Sequence, residues 1–85
     1  MGYDNGMRFY WSAETHGISH ADAVHVIEHA RTIIVLREEP LKLLYIGFDT
    51  IGRPCEVIVD HPPWENGEPA CIHADTLTPA WYKYL

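Results

Sequence analysis

Residues 41–59 read LKLLYIGFDTIGRPCEVIV, and this stretch decides the fold. Two runs typical of β-strands, residues 41–48 and 53–59, flank a four-residue connection that begins with Asp49 and ends with Gly52. Such a connection is typical of a type I turn that closes a β-hairpin. The sequence therefore predicts a hairpin whose loop is residues 49–52.

A four-residue loop also sets the predicted register, because side chains alternate between the two faces of a strand. On one face nearly all cross-strand partners are apolar, as expected of a core: Phe48 with Arg53, Ile46 with Cys55, Leu44 with Val57 and Lys42 with Val59. The alternate pairs mix polar and apolar groups: Tyr45 with Glu56, Leu43 with Ile58 and Leu41 with Asp60. We therefore expect one face of the hairpin to be buried in the core and the other to be partly exposed to solvent and available for function.

Length and charge limit the functions that the chain can perform. Its 85 residues predict a single domain, residues 1–85, with one core and any chemistry on an open surface. The first six residues are expected to be disordered. No apolar run approaches the ~20 residues of a membrane span, and no signal peptide is evident, so we expect a cytoplasmic protein without a membrane partner. A net charge of -6 disfavours unaided binding to phosphate backbones.

The best helix signal begins at Ser19. Ser19 followed by Asp22 resembles a capping box, and Ile18 can pack on Ala23 as a hydrophobic staple. The apolar residues that follow share one side of a 3.6-residue wheel, which predicts an amphipathic helix lying on a sheet.

The remaining segments complete an α+β fold. Residues 7–11 read as a short N-terminal edge strand, residues 32–37 and 70–74 as further strands, and residues 78–85 as a short C-terminal helix or turn. Residues 60–69 form a loop with a turn signal at Asn66 and Gly67. We predict a four-stranded, mostly antiparallel sheet with one main helix packed on it.

Two patterns suggest metal or redox chemistry but have simpler interpretations. His25, Glu28 and His29 spell H-x-x-E-H, the inverted zincin motif, yet they lie on the polar side of the helix wheel. We interpret them as a solvated helix face that binds nickel or zinc only adventitiously, and we predict no metal and no cofactor. Cys55 and Cys71 match no zinc-finger spacing and are interpreted as small core residues rather than a disulfide.

One candidate acid–base constellation depends on strand register. If Asn66 and Gly67 form a two-residue turn and pairing continues past the prolines, Asp60 faces His73 on the same side as Glu56 and Tyr45. A histidine that a carboxylate orients near a phenol can act as an acid or a base. The alternative is a surface histidine in an ordinary ion pair. Arg37 and Arg53, near strand ends, can hold a phosphate or can be solvated loop residues.

The order of these signals resembles a known family. The segments that carry the resemblance are FYWS at 9–12, HGIS at 16–19 with Ala23, YIG at 45–47, Gly52 with Arg53, and IHA at 72–74. They are similar to the BrnT toxins of type II toxin–antitoxin systems, especially a small actinobacterial branch whose last strand ends in Ile-His-Ala.

This resemblance implies a RelE-like fold, a metal-independent ribonuclease that arrests translation, and a cognate DNA-binding antitoxin as partner, with RNA as the substrate. On that interpretation His73 is the acid or base, Asp60 orients it beside Tyr45, and Arg53 with Arg37 holds the scissile phosphate. The chain departs from the family where a basic Ser-Ala-Arg ending is replaced by His73, Ala74 and Asp75. The competing interpretation is therefore a non-catalytic protein-interaction domain of the same fold. The oligomeric state stays open, with a homodimer as one possibility.

Overall fold

The computed structural model describes residues 7–9, 17–61 and 68–85. In chain order its elements are β1 (Arg8–Phe9), α1 (His20–Glu28), β2 (Thr32–Glu38), β3 (Leu41–Phe48), β4 (Pro54–Asp60), β5 (Ala70–Thr76) and a C-terminal 3-10 helix (Pro79–Tyr84). The strands form one sheet in the order β1-β5-β4-β3-β2. Among the described strands, the β1–β5 pair is parallel and the other three pairs are antiparallel.

This architecture confirms an α+β domain with a mostly antiparallel sheet and one principal helix, and it corrects the strand count from four to five. The added strand is the short N-terminal segment, which joins the sheet with Arg8 opposite Ala70 and Phe9 opposite Cys71. The sequence of this segment favours a strand but does not identify its neighbour, because the pairing joins residues more than 60 positions apart.

The predicted register of the central hairpin is wrong by one residue. Phe48 lies opposite Pro54, not Arg53, and Tyr45 lies opposite Val57. The turn at Asp49 forms as expected, since the Gly52 N–H donates to the Asp49 carbonyl at 3.1 Å. However, Gly52 adopts a left-handed φ of 87°, and Arg53 stays in the loop as a fifth residue. That extra residue shifts every pair beyond it.

The shift divides the hairpin's side chains differently between the two faces of the sheet. Val57 and Tyr45 lie on the face that α1 covers, which we call the helix face, with the core around Val26. Leu44 and Ile46 lie on the opposite face, the C-terminal face, under the 3-10 helix. The apolar residues packed there include Ile34, Ile58, Leu77, Trp81, Tyr84 and Leu85. Both faces of the sheet therefore carry a core.

Local signals at the start of α1 are confirmed. The Ser19 hydroxyl accepts a hydrogen bond from the Asp22 N–H at 3.1 Å and donates one to the Asp22 carboxylate at 3.1 Å. Ile18 and Ala23 are both buried in the core of the helix face. Local sequence therefore determines where this helix begins.

The cysteines have the expected structural role. Cys55 and Cys71 are unbridged and fully buried in the core of the helix face. Burial raises the pKa of each thiol to about 11, so both are protonated and unreactive at neutral pH.

Two expectations lie outside the described residues: disorder of residues 1–6 and the tight turn at Asn66 and Gly67. Within the parts of the chain that the structure describes, no helix is long and apolar enough to cross a membrane.

Candidate functional site

The candidate site is built on β4 and β5, on the C-terminal face of the sheet. His73 Nε2 lies 2.8 Å from a carboxylate oxygen of Glu56, and the other Glu56 oxygen accepts the Thr78 N–H at 2.8 Å. The Glu56 side chain is 11% exposed and that of His73 is 30% exposed. A mostly buried carboxylate thus fixes one edge of an imidazole that solvent can reach.

Asp60 is not the carboxylate that orients His73. Ile72 is an extra residue in β5, so Ile58 pairs with His73 whereas Val59 pairs with Cys71. Asp60 lies opposite Ala70 at the end of the sheet, three residues along β5 from its predicted partner His73. Because a strand rises ~3.3 Å per residue, Asp60 stands about 13 Å along β4 from Glu56. The predicted pairing with Asp60 is therefore wrong, and Glu56 takes its place.

Asp60 instead binds Arg37. Arg37 Nη2 donates to the Asp60 carboxylate at 2.8 Å, and Arg37 Nε donates to the Pro40 carbonyl at 2.8 Å. Register links these residues through Lys42, which lies opposite both Arg37 and Asp60. Arg37 is therefore on the C-terminal face with His73, but its guanidinium is held by a carboxylate at the end of the sheet.

Arg53 lies elsewhere, at the loop of the hairpin beside the start of α1. Its Nε donates to the fully buried Asp49 carboxylate at 2.6 Å, and its Nη2 lies 3.9 Å from Asp22. The same Asp49 carboxylate accepts the backbone N–H groups of Ile51 and Arg53 at 3.0 and 2.8 Å. Arg53 therefore closes the loop and joins it to the helix.

The charges of this loop network are mutually stabilised. Burial opposes ionisation of Asp49, but hydrogen bonds from Arg53 and Ile51 outweigh it and hold the pKa of that carboxyl below its ordinary 3.8. A hydrogen bond from the Thr50 hydroxyl, 2.6 Å away, leads the contributions that lower the pKa of Asp22. The hydrogen bond to Asp49 raises the pKa of Arg53. These are the characteristics of a structural ion pair.

Tyr45 is separated from His73 by the sheet itself. Its side chain packs against the core of the helix face, opposite Val57. The predicted site residues therefore lie in three separate places. His73, Asp60 and Arg37 share the C-terminal face, whereas Tyr45 packs on the helix face and Arg53 lies at the hairpin loop.

Sequence analysis missed Glu56 as the partner of His73, although one signal was present. Glu56 stands between Cys55 and Val57 in an apolar strand, and the residue is only 8% exposed. A carboxylate in such a position is seldom buried without partners. Its second partner, the Thr78 backbone, is invisible to sequence patterns because any residue supplies an N–H.

The H-x-x-E-H residues of α1 lie away from this site. The rings of His25 and His29 are 4.5 Å apart by their centroids, as one helical turn allows, and Glu28 is exposed. Among the described residues, no group of three or more His, Cys, Asp and Glu side chains is arranged to hold a metal ion. Two ligands on an open helix face leave most of a metal's coordination to solvent.

Comparison with known proteins adds no family to this geometry. No family model, no curated protein and no solved structure matches the chain.

Proposed function

We propose that this protein is the toxin of a type II toxin–antitoxin pair, similar to the BrnT toxins, and that it cleaves RNA without a metal at His73. The observation that carries the proposal is the contact of 2.8 Å between His73 and the largely buried Glu56. An imidazole oriented by a carboxylate is a common arrangement for a general acid or base.

In this mechanism His73 exchanges a proton with the reacting ribose or leaving-group oxygen, and Glu56 holds the ring in position. Arg37 and Lys42 supply positive charge on the same face for the RNA backbone. Arg53 and Tyr45 have no role at the scissile phosphate in this version, because neither lies beside His73. The cognate antitoxin, a DNA-binding protein, is the proposed partner, and the proposed compartment is the cytoplasm.

A second candidate function is supported by the ion pairs. The guanidinium groups of Arg37 and Arg53 are each bound by a carboxylate, and the cross-strand neighbour of Glu56 is the acidic Asp75. Such pairing reduces the positive potential that an RNA backbone requires. A non-catalytic domain that only binds a protein partner fits these charges, and the two candidates predict opposite outcomes in one experiment.

The experiment is controlled expression of the chain in a bacterial host, with growth and total RNA followed after induction. The ribonuclease proposal predicts growth arrest and RNA fragmentation, and it predicts that His73→Ala abolishes both. The matched control is His29→Ala, which changes the exposed histidine at the C-cap of α1 and should remain toxic.

Two results would contradict the proposal. Normal growth and intact RNA at full expression of the wild type would leave the partner-binding function in its place. Arrest that persists in a folded His73→Ala variant would keep the toxin but reject His73 as its catalytic residue.

A further inference from the structure

One of the two edge strands of the described sheet, β2, is apolar and exposed. β2 pairs with β3 on one side, and in the sheet formed by residues 7–9, 17–61 and 68–85 it has no neighbour on the other. Ile33 and Val35 are 54% and 51% exposed, and Leu36 is also exposed. An edge strand of seven residues with such side chains is a template for pairing with another strand.

The surface beside this edge is also apolar. Ile33 and Val35 lie opposite Tyr45 and Leu43, which places them on the helix face. However, α1 packs mainly on β3 and β4 and leaves them uncovered. Leu41, two residues before Leu43 on the same face, is exposed as well. We call the side chains of Ile33, Val35 and Leu41 the β2 patch.

The charges along β2 indicate what pairs with it. The strand is preceded by Arg31 and ends at Glu38, both exposed, and its centre is apolar. An antiparallel copy of the same strand therefore brings the basic end of each strand to the acidic end of the other. A segment with this symmetry is complementary to itself, which is the property that a two-fold interface requires.

We propose that two copies of this chain associate by antiparallel pairing of their β2 strands, which joins two five-stranded sheets into one continuous sheet. The inference is independent of the proposed ribonuclease activity, because it uses neither His73 nor Glu56.

Side-chain complementarity along β2 favours one register of this pairing. With Ile34 opposite its own copy, Ile33 of each protomer faces Val35 of its partner, and both lie on the helix face. In the β2–β3 pair, Val35 lies opposite Leu43 and Arg37 lies opposite the adjacent Lys42, so Leu36 is a bulge residue that pairs with neither. Leu36 is likewise left unpaired between the two β2 strands. Beyond the bulge, Arg31 faces Glu38 of the other protomer, twice per dimer.

A register shifted by one residue brings fewer apolar side chains opposite each other. Centring the axis on Val35, with Leu36 again unpaired, places Ile34 opposite Arg37 and Ile33 opposite Glu38. This register sets apolar side chains opposite charged ones, whereas pairs of like character stabilise an antiparallel ladder. The net charge of -6 on each copy opposes association, but at physiological salt repulsion is largely screened beyond ~8 Å, whereas contacts within the interface remain.

The test is the solution mass of the full chain at physiological salt, measured by sedimentation across a concentration series. We expect a dimer of twice the 9.7 kDa chain mass. Val35→Lys should weaken association at least tenfold, because it places two ammonium groups in the β2 patch. The control Ile51→Lys changes a side chain that is 75% exposed in the hairpin loop and should leave the dimer intact.

A charge exchange tests the register. Arg31→Glu and Glu38→Arg alone each create two like-charge contacts and should weaken the dimer about tenfold, whereas the two changes together should restore it. Both positions are exposed, and circular dichroism checks that each of the three variants is folded.

A wild type that remains monomeric overturns the proposal, as does a dimer that Val35→Lys does not weaken. Failure of the double exchange to restore association overturns the register.

Discussion

Glu56→Ala is expected to destabilise the protein strongly, because Glu56 is a buried acidic residue whose carboxylate has two hydrogen-bond partners. The substitution removes the acceptor of two hydrogen bonds, one from the Thr78 N–H and one shared with His73, both 2.8 Å long. Hydrogen bonds to a charged group contribute about 1.5–3 kcal/mol each, and Thr78 is exposed enough for water to replace part of the loss. We therefore expect a loss of about 2–3 kcal/mol in the free energy of unfolding.

For a domain of 60–100 residues each kcal/mol lowers the melting temperature by about 4–8 °C, so the melting temperature should fall by roughly 10–20 °C. The assay is urea and thermal unfolding, followed by circular dichroism and tryptophan fluorescence. Glu28→Ala, at an exposed position in the last turn of α1, is the matched control and should change stability by less than about 0.5 kcal/mol.

Hydrogen exchange adds a local readout. The Thr78 amide should lose its protection when Glu56 is replaced, since Glu56 is its acceptor. Stability of Glu56→Ala equal to that of Glu28→Ala, with Thr78 still protected, would refute the role assigned to Glu56.

Three further substitutions test the framework that positions the site. Ser19→Ala should cost about 1 kcal/mol by removing the N-cap acceptor of α1, and an unchanged urea midpoint would count against that cap. Gly47→Ala should cost about 1–3 kcal/mol, since a Cβ there meets the Ala30 backbone at 3.3 Å; a stable variant would show that this contact can relax. In the folded state the pKa of Asp49 lies below its ordinary value of 3.8. The contribution of its carboxylate to folding stability is therefore complete above about pH 4 and is lost as the pH falls through the lowered pKa. Asp49→Asn should therefore lower stability at pH 7 and flatten its decline below pH 4, and acid titrations of identical shape would contradict this.

The parts of the fold that local sequence predicts are those that local interactions determine. The start of α1 follows from Ser19 and Asp22, three residues apart. Registers are different, because one residue added to a loop or strand moves every pair beyond it. Arg53, which stays in the hairpin loop after the left-handed Gly52, and Ile72, which bulges from β5, are two such residues, and no sequence pattern distinguishes either from an ordinary strand residue.

The candidate site depends on those registers, which explains what sequence analysis could not predict about it. His73 is predicted from its position in the last strand, but its partner is Glu56 and not Asp60, because β5 pairs three residues away from the predicted register and contains a bulge. The separation of Arg53 from His73 follows from Asp49, whose buried carboxylate holds the guanidinium at the hairpin loop. Contacts made through tertiary structure thus decide which charged groups meet.

Cleavage of RNA by the purified protein tests the central claim most directly. The assay incubates the metal-free chain with single-stranded RNA at low salt, where electrostatic binding to the backbone is strongest. Fragments should form in the presence of a chelator, and their rate should fall at least a hundredfold in a folded His73→Ala variant, since general acid–base catalysis contributes about 10²–10⁴-fold. Intact RNA with the wild type, or equal cleavage by the wild type and the variant, would contradict the account.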